Sequence, residues 1–152
     1  SFLLFNFPKA KIFLGDSGSY LFGALIALNI IYTNNLNPLI SSFFFCILLF
    51  YLFFEVFFSF IRKSYQKKSP ILPDNKHMHM LSYKLIKRIF SVENSNHINS
   101  IVINLVYFVL IFPSVYFVSN SLLCKYWFFS LILIYIVIYF RLYHLTKNQF
   151  DI

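Results

Sequence analysis

Four long stretches of this 152-residue chain run almost without charge, and no other feature constrains its fold as much. A helix that crosses a bilayer needs about 20 mostly apolar residues. Residues 18–34, 39–61, 99–118 and 122–140 meet or approach that length. In hydrocarbon each backbone N–H and C=O must find its partner inside the protein, which makes the helix the natural form for such runs. Composition agrees: 59% of the residues are hydrophobic, 22% aromatic and 12% charged, against about 45–50% apolar and about 25% charged in a soluble domain. The expected fold is all-α, a polytopic membrane helical bundle with about four transmembrane helices, built as a single membrane domain over residues 1–152. Pro113 predicts a kink in the third span. Residues 1–14 read as the end of an earlier span and its exit loop. The chain opens at Ser1, without Met and with an apolar stretch already under way, so it reads as the C-terminal portion of a longer protein.

The charge, +8 overall, is unevenly spread. The only long polar stretch, residues 62–98, holds Arg62, Lys63, Lys67, Lys68, Lys76, Lys84, Lys87 and Arg88, eight of the 13 basic residues. Basic loops stay on the cytoplasmic side. Counting crossings back then places residues 15–19 on that same side, and the tail from Arg141 returns to it. Lys125, near the far end, can snorkel. Nucleic acid is not an expected partner, because the aromatics lie inside the apolar runs and not among the basic residues. Cys46 and Cys124 both sit in apolar runs and are expected to be buried thiols, with no disulfide framework.

Within this frame three groups of residues can carry chemistry. All three glycines of the chain, Gly15, Gly18 and Gly23, fall within nine residues and surround Asp16. Glycine serves where the backbone takes positive φ or lets a partner approach. Asp16 can hold a cation, as carboxylates do for Mg²⁺ shared with substrate phosphates, or it can join Ser17 and Ser19 in capping the next helix. The second group is His77 and His79, after Pro70 and Pro73 in the basic loop. These imidazoles can bind phosphate oxygens, ligate a metal, or simply lie on the surface. Lys84, Lys87 and Arg88 follow at helical spacing, as on a basic helix lying at a lipid surface. The third is Glu55, a carboxylate inside an apolar span, which is costly there and is functional or paired. It stands roughly 10 Å from Arg62 along a helix, and its bland reading is a structural pair with Arg62 or Lys63.

Read together, several of these segments resemble a known family. Residues Ala10-Lys11-Ile12-Phe13-Leu14-Gly15-Asp16-Ser17-Gly18-Ser19 with Gly23, preceded by Asn6-Phe7-Pro8, are similar to the A-x-I-F-x-G-D-x-G-S…G signature of the polyprenyl-phosphate sugar-1-phosphate transferases, glycosyltransferase family 4. Phe58-Ser59-Phe60-Ile61-Arg62-Lys63 resembles the family's F-S-x-x-R-R stretch. Ser69-Pro70 and Pro73-Asp74-Asn75-Lys76-His77-Met78-His79 resemble its S-P…P-D-x-x-H-x-H-H loop. The last two spans resemble the family only in position and hydrophobicity.

The resemblance implies a membrane transferase that moves a sugar 1-phosphate, GlcNAc-1-phosphate or that of a related 2-acetamido sugar, from a UDP-sugar to polyprenyl (undecaprenyl) phosphate. UMP would leave, and the product would enter cell-envelope polysaccharide synthesis. It implies the bacterial cytoplasmic membrane, a site on the cytoplasmic face, and a homodimer as a compatible state. Mg²⁺, or Mn²⁺ in its place, would bind Asp16. Phe13 would stack on uracil, and His77 and His79 would act on the diphosphate. Gly15, Ser17, Gly18, Lys76 and Arg62 would complete the nucleotide and diphosphate set. Two departures qualify this. Met80 stands where the family has a third histidine. The family's paired aspartates and N-x-x-x-D-G-type segment have no counterpart among the five acids here, so the chain alone is expected to be inactive.

Three rivals remain on the residues themselves. Gly15-Asp16-Ser17-Gly18 echoes trypsin-like proteases, but their upstream His and Asp have no counterpart here. An intramembrane serine protease with Ser17 as nucleophile would need a histidine at membrane depth, and all four histidines lie in the loop or tail. The non-enzyme rival is a membrane subunit that holds anionic lipid through residues 62–98.

Overall fold

The computed structural model describes residues 2–8, 11–69, 72, 74–90 and 96–147, and within them every regular element is helical. Pro70 and Pro73 of the basic loop, and Lys9 and Ala10, lie outside the described residues. The helices are α1 (Phe2–Asn6), α2 (Gly15–Leu36), α3 (Ser42–Leu48), α4 (Phe50–Tyr65), α5 (Met78–Phe90), α6 (Asn96–Ile111) and α7 (Ser121–Thr146). A 3-10 segment, Phe112–Phe117, continues α6.

Fewer than four of the described helices pass as spans by length and apolar character. Two helices among the described residues are long and apolar enough to cross a membrane: α6 with its 3-10 extension, and α7. The pair α3 and α4 makes a third if taken as one broken span, since its halves meet at 72°. Helix α2 is long enough at 22 residues, but Asp16, Asn29, Asn34 and Asn35 dilute its apolar character. It also buries none of its residues and meets the other helices near its C-terminal end, where Asn34 accepts a hydrogen bond from Ser42 Oγ at 3.5 Å.

The break in the second span has a specific partner. Around Leu49 (φ −105°, ψ 5°) the helical ladder is interrupted, and a freed carbonyl in apolar surroundings costs energy unless it is paired. Tyr107 of α6 supplies the pairing: its hydroxyl donates to Leu48 O at 2.7 Å and accepts from Tyr51 N–H at 3.4 Å. A second repair lies at Pro113. It has no N–H to continue the helical ladder, and close by Trp127 Nε1 of α7 donates to Leu110 O at 3.0 Å. Pro113 therefore tightens the end of this helix into a 3-10 turn.

Packing follows from the same residues. The core gathers Ile47, Phe50 and Phe54 from α3 and α4, Leu81 from α5, and Cys124, Leu131, Tyr135 and Tyr139 from α7. Between membrane helices the hydrophobic effect adds little, so close packing and side-chain hydrogen bonds carry association. Aromatic rings do much of that packing: Phe54 meets Tyr135 edge-on at 4.9 Å, and Phe58 meets Tyr139 at 4.7 Å. The expectation of two buried thiols is half right, since Cys124 is buried but Cys46 lies exposed on α3.

Helix α5 is amphipathic. Its buried Leu81 and Ile86 face the other helices, while Lys87 and Arg88 are exposed. Its first turn is tied to α6 by Asn99, whose Nδ2 donates to His79 O at 2.9 Å and whose Oδ1 accepts from Ser82 Oγ at 2.7 Å.

Candidate functional site

The segment around Asp16 is built by a residue upstream of it. Asn6, the last residue of α1, accepts the N–H groups of Lys11 and Ile12 on Oδ1 at 2.9 and 2.8 Å, and donates from Nδ2 to Ile12 O at 2.7 Å. Three bonds from one amide fix the approach to Phe13 and Gly15. Phe13 is 90% exposed. Gly15 takes φ +71°, a left-handed conformation that favours glycine. At Gly18 a Cβ would stand 2.7 Å from Leu14 Cδ1, so Leu14 can fold over the first turn only because Gly18 has no side chain.

The serines do not cap this helix. It begins at Gly15, not near Gly18, and carries no side-chain cap. Ser17 and Ser19 are therefore already inside it, and Ser19 Oγ donates back to Gly15 O at 2.9 Å. Asp16 sits exposed in the first turn. Its charge suits the positive end of the helix dipole, and it makes no hydrogen bond or ion pair among the described residues.

The loop site is denser. Its polar groups come from one face of α4, where Glu55, Ser59 and Arg62 recur at helical spacing, and from α7, where Tyr135, Tyr139 and Tyr143 do the same. Arg62 Nη1 donates to Lys76 O at 2.6 Å and to Tyr139 Oη at 2.5 Å. Its Nη2 donates to Ser59 Oγ at 3.1 Å and forms an ion pair with Asp74. Asp74 Oδ1 in turn accepts Lys76 N–H at 3.0 Å. The guanidinium also lies over the Tyr139 ring, 5.4 Å from its centre. Beside it Lys63 Nζ donates to Leu72 O at 2.6 Å.

Glu55 does not pair with Arg62 or Lys63, as its spacing on the helix had allowed. It faces His77, whose Nδ1 is 3.0 Å from Oε1. Arg62 is drawn instead to Asp74, which the loop carries back over the end of α4. His77 and His79 stack at 5.5 Å between ring centres, so the two histidines form one unit, with Lys76 immediately before it. Met80, at the place of the family's third histidine, is half-buried.

Partial burial lowers the His79 pKa below its ordinary 6.5; the Glu55 charge opposes this, and His77 reinforces it. His79 is thus neutral near pH 7. A base that binds its proton more weakly when folded makes the fold lose stability as pH drops below about 6.5. A histidine NMR titration is expected to place the His79 midpoint below that value, and a midpoint above it would contradict the geometry.

Asp16 is the one described acid with a free carboxylate, because Asp74 is committed to the Arg62 guanidinium and the Lys76 N–H, and Glu55 to His77, the Met78 N–H and the Tyr135 hydroxyl. No three His, Cys, Asp or Glu among the described residues stand together as a ready metal site. What is present fits a single Mg²⁺ ligand, in the manner of sites where one or two carboxylates act with substrate phosphates. The bonds of residues 74–79 described above run to α4, α6 and α7, whereas Gly15 O is met from within its own helix by Ser19. Sequence reasoning had missed three contributors: Asn6 as the tie for the Asp16 approach, and Tyr135 and Tyr139 as donors and acceptors under the loop. The four-residue spacing of the tyrosines on a helix was the available signal.

Residues 1–34 match the family model for glycosyl transferase family 4. An undecaprenyl-phosphate alpha-N-acetylglucosaminyl 1-phosphate transferase of Thermotoga maritima is 40% identical over 80 residues, which is 51% of this chain and 25% of that relative. No solved structure matches the chain.

Proposed function

We propose that this chain, which carries glycosyl transferase family 4 sequence in its N-terminal part, forms part of the active site of a membrane enzyme that transfers a sugar 1-phosphate from a UDP-sugar to polyprenyl phosphate. The observation that carries this reading is the identity to the Thermotoga transferase, together with a free carboxylate at Asp16 and a tethered pair of imidazoles at His77 and His79. The reaction joins an oxygen of the lipid phosphate to the phosphorus that bears the sugar, and the bond from that phosphorus to UMP breaks. Such transfers depend on positioning and on neutralising charge. GlcNAc or a related 2-acetamido sugar, the cytoplasmic face of a bacterial inner membrane, and a role in cell-envelope polysaccharide synthesis belong to the same proposal.

In it, Asp16 holds Mg²⁺, which when bound would neutralise the diphosphate and orient the leaving UMP. Phe13 offers an open ring for uracil. The N–H groups of Gly15, Ser17 and Gly18 lie at the start of α2, an end that favours anions. His77, His79 and Lys76 meet the diphosphate. Arg62 acts one step back, holding the loop that carries them.

A chimera tests this. Residues 1–80 replace their counterparts in the Thermotoga transferase, and the product is assayed in lipid with UDP-GlcNAc, undecaprenyl phosphate and Mg²⁺. Release of UMP with formation of the lipid-linked sugar is expected from the chimera, and none from this chain alone. A chimera that inserts normally, binds anionic vesicles and turns nothing over would favour the lipid-binding subunit instead.

A further inference from the structure

Glu55 is 8% exposed, set in α4 among aromatic rings. Its two oxygens receive three bonds. Oε1 meets His77 Nδ1 and Met78 N–H, both at 3.0 Å, and Oε2 accepts from the Tyr135 hydroxyl at 2.5 Å. A backbone N–H can only donate, and an ionised carboxylate can only accept. With Met78 N–H on the same oxygen, Nδ1 of His77 faces an acceptor and must carry a proton.

We propose that Glu55 is a positioning residue for His77: it holds the ring as the Nδ1–H tautomer and so leaves the Nε2 lone pair open to the substrate, as the acceptor for the proton of a monoprotonated phosphate. The role of Nε2 rests on the transferase reading above, whereas the tautomer does not. The His77 side chain keeps 27% of its surface exposed, so the ring remains reachable although one nitrogen is tethered. A carboxylate that orients an imidazole through the nitrogen not used in chemistry is a recurrent device in catalytic and metal sites. Met78 N–H belongs to the first turn of α5, whose leading N–H groups have no partner within the helix. One oxygen therefore ties the start of α5 and the ring of the preceding residue together. A purely structural Glu55 would serve Met78 alone and leave the His77 tautomer unaffected.

The test is the ring nitrogen spectrum of the chain labelled with ¹⁵N-histidine in lipid nanodiscs at about pH 8, above the ordinary histidine range. His77→Ala assigns the signal. Wild-type His77 is expected as Nδ1–H. Glu55→Met removes the acceptor and is expected to shift His77 to Nε2–H or a mixture, with His97 and His144 unmoved. Glu55→Gln is expected to keep Nδ1–H, since the amide oxygen can still accept both bonds. Wild-type His77 found as Nε2–H would overturn the proposal, as would a folded Glu55→Met chain that keeps Nδ1–H. Should Glu55→Met not fold, the wild-type and Glu55→Gln spectra decide, and Nε2–H in either sinks the idea. None of these readings depends on turnover, so failure here is separate from failure of the transferase assignment.

Discussion

Replacing Arg62 with alanine is expected to release the histidine loop while leaving the spans in place. The guanidinium makes four hydrogen bonds, to Lys76 O, Tyr139, Ser59 and Asp74. Its side chain is 10% exposed and that of Asp74 is 15%. Removing one partner of a buried pair leaves an uncompensated charge and costs about 3–5 kcal/mol. The residual exposure of both groups favours the lower end of that range. At about 1.4 kcal/mol per tenfold, local opening of residues 74–78 should rise on the order of 10²-fold. Amide exchange read by mass spectrometry checks this at Lys76 and Met78, whose N–H groups bond to Asp74 and Glu55. Arg62→Lys should fall between, since an ammonium cannot replace the guanidinium fork. The double change Arg62→Ala with Asp74→Ala should open the loop less than Arg62→Ala alone, because no unpaired acid is left behind. Unchanged exchange in Arg62→Ala would show that the loop is held by something else.

The contrast between Arg62 and Glu55 also marks what was legible in the sequence. The apolar runs announced helices, and α7 and the span from Asn96 to Phe117 lie where hydrophobicity put them. The 72° break between α3 and α4 was not readable, because nothing near Leu49 resembles a helix breaker. The tyrosine that pairs the broken ladder, Tyr107, sits more than fifty residues away. The partners of Glu55 were hidden for a related reason. Helical spacing offered Arg62 and Lys63 on its own helix, but the loop returns over α4 and delivers His77 to Glu55 and Asp74 to Arg62. Local sequence specifies which residues share a helix face; which loop residue lands on that face depends on the loop's path. The Asp16 segment was the most legible part. Its glycines at 15 and 18 answer to a left-handed φ and a close Leu14, though the serines proved to lie within the helix and not at its cap.

Exchanging Asp16 for asparagine in the active chimera is expected to abolish turnover without harming the fold. Two terms of different size decide this. As a residue in the first turn of α2, Asp16 gives the helix dipole about 0.3–1 kcal/mol, little of which matters at an exposed position. Helix α2 buries none of its residues, so its integrity does not depend on this side chain packing anywhere. As the free carboxylate proposed to hold Mg²⁺, it supports several kcal/mol of charge stabilisation in the transition state. A loss of about 4 kcal/mol corresponds to a fall on the order of 10³-fold in kcat at about 1.36 kcal/mol per tenfold. Thermal unfolding and membrane insertion should stay as in the parent, and raising Mg²⁺ should not restore the rate. A cap would behave in the opposite sense, because asparagine caps a helix as well as aspartate does. A variant with normal turnover would return Asp16 to a purely helical role and remove the carboxylate on which the transferase reading of this segment depends.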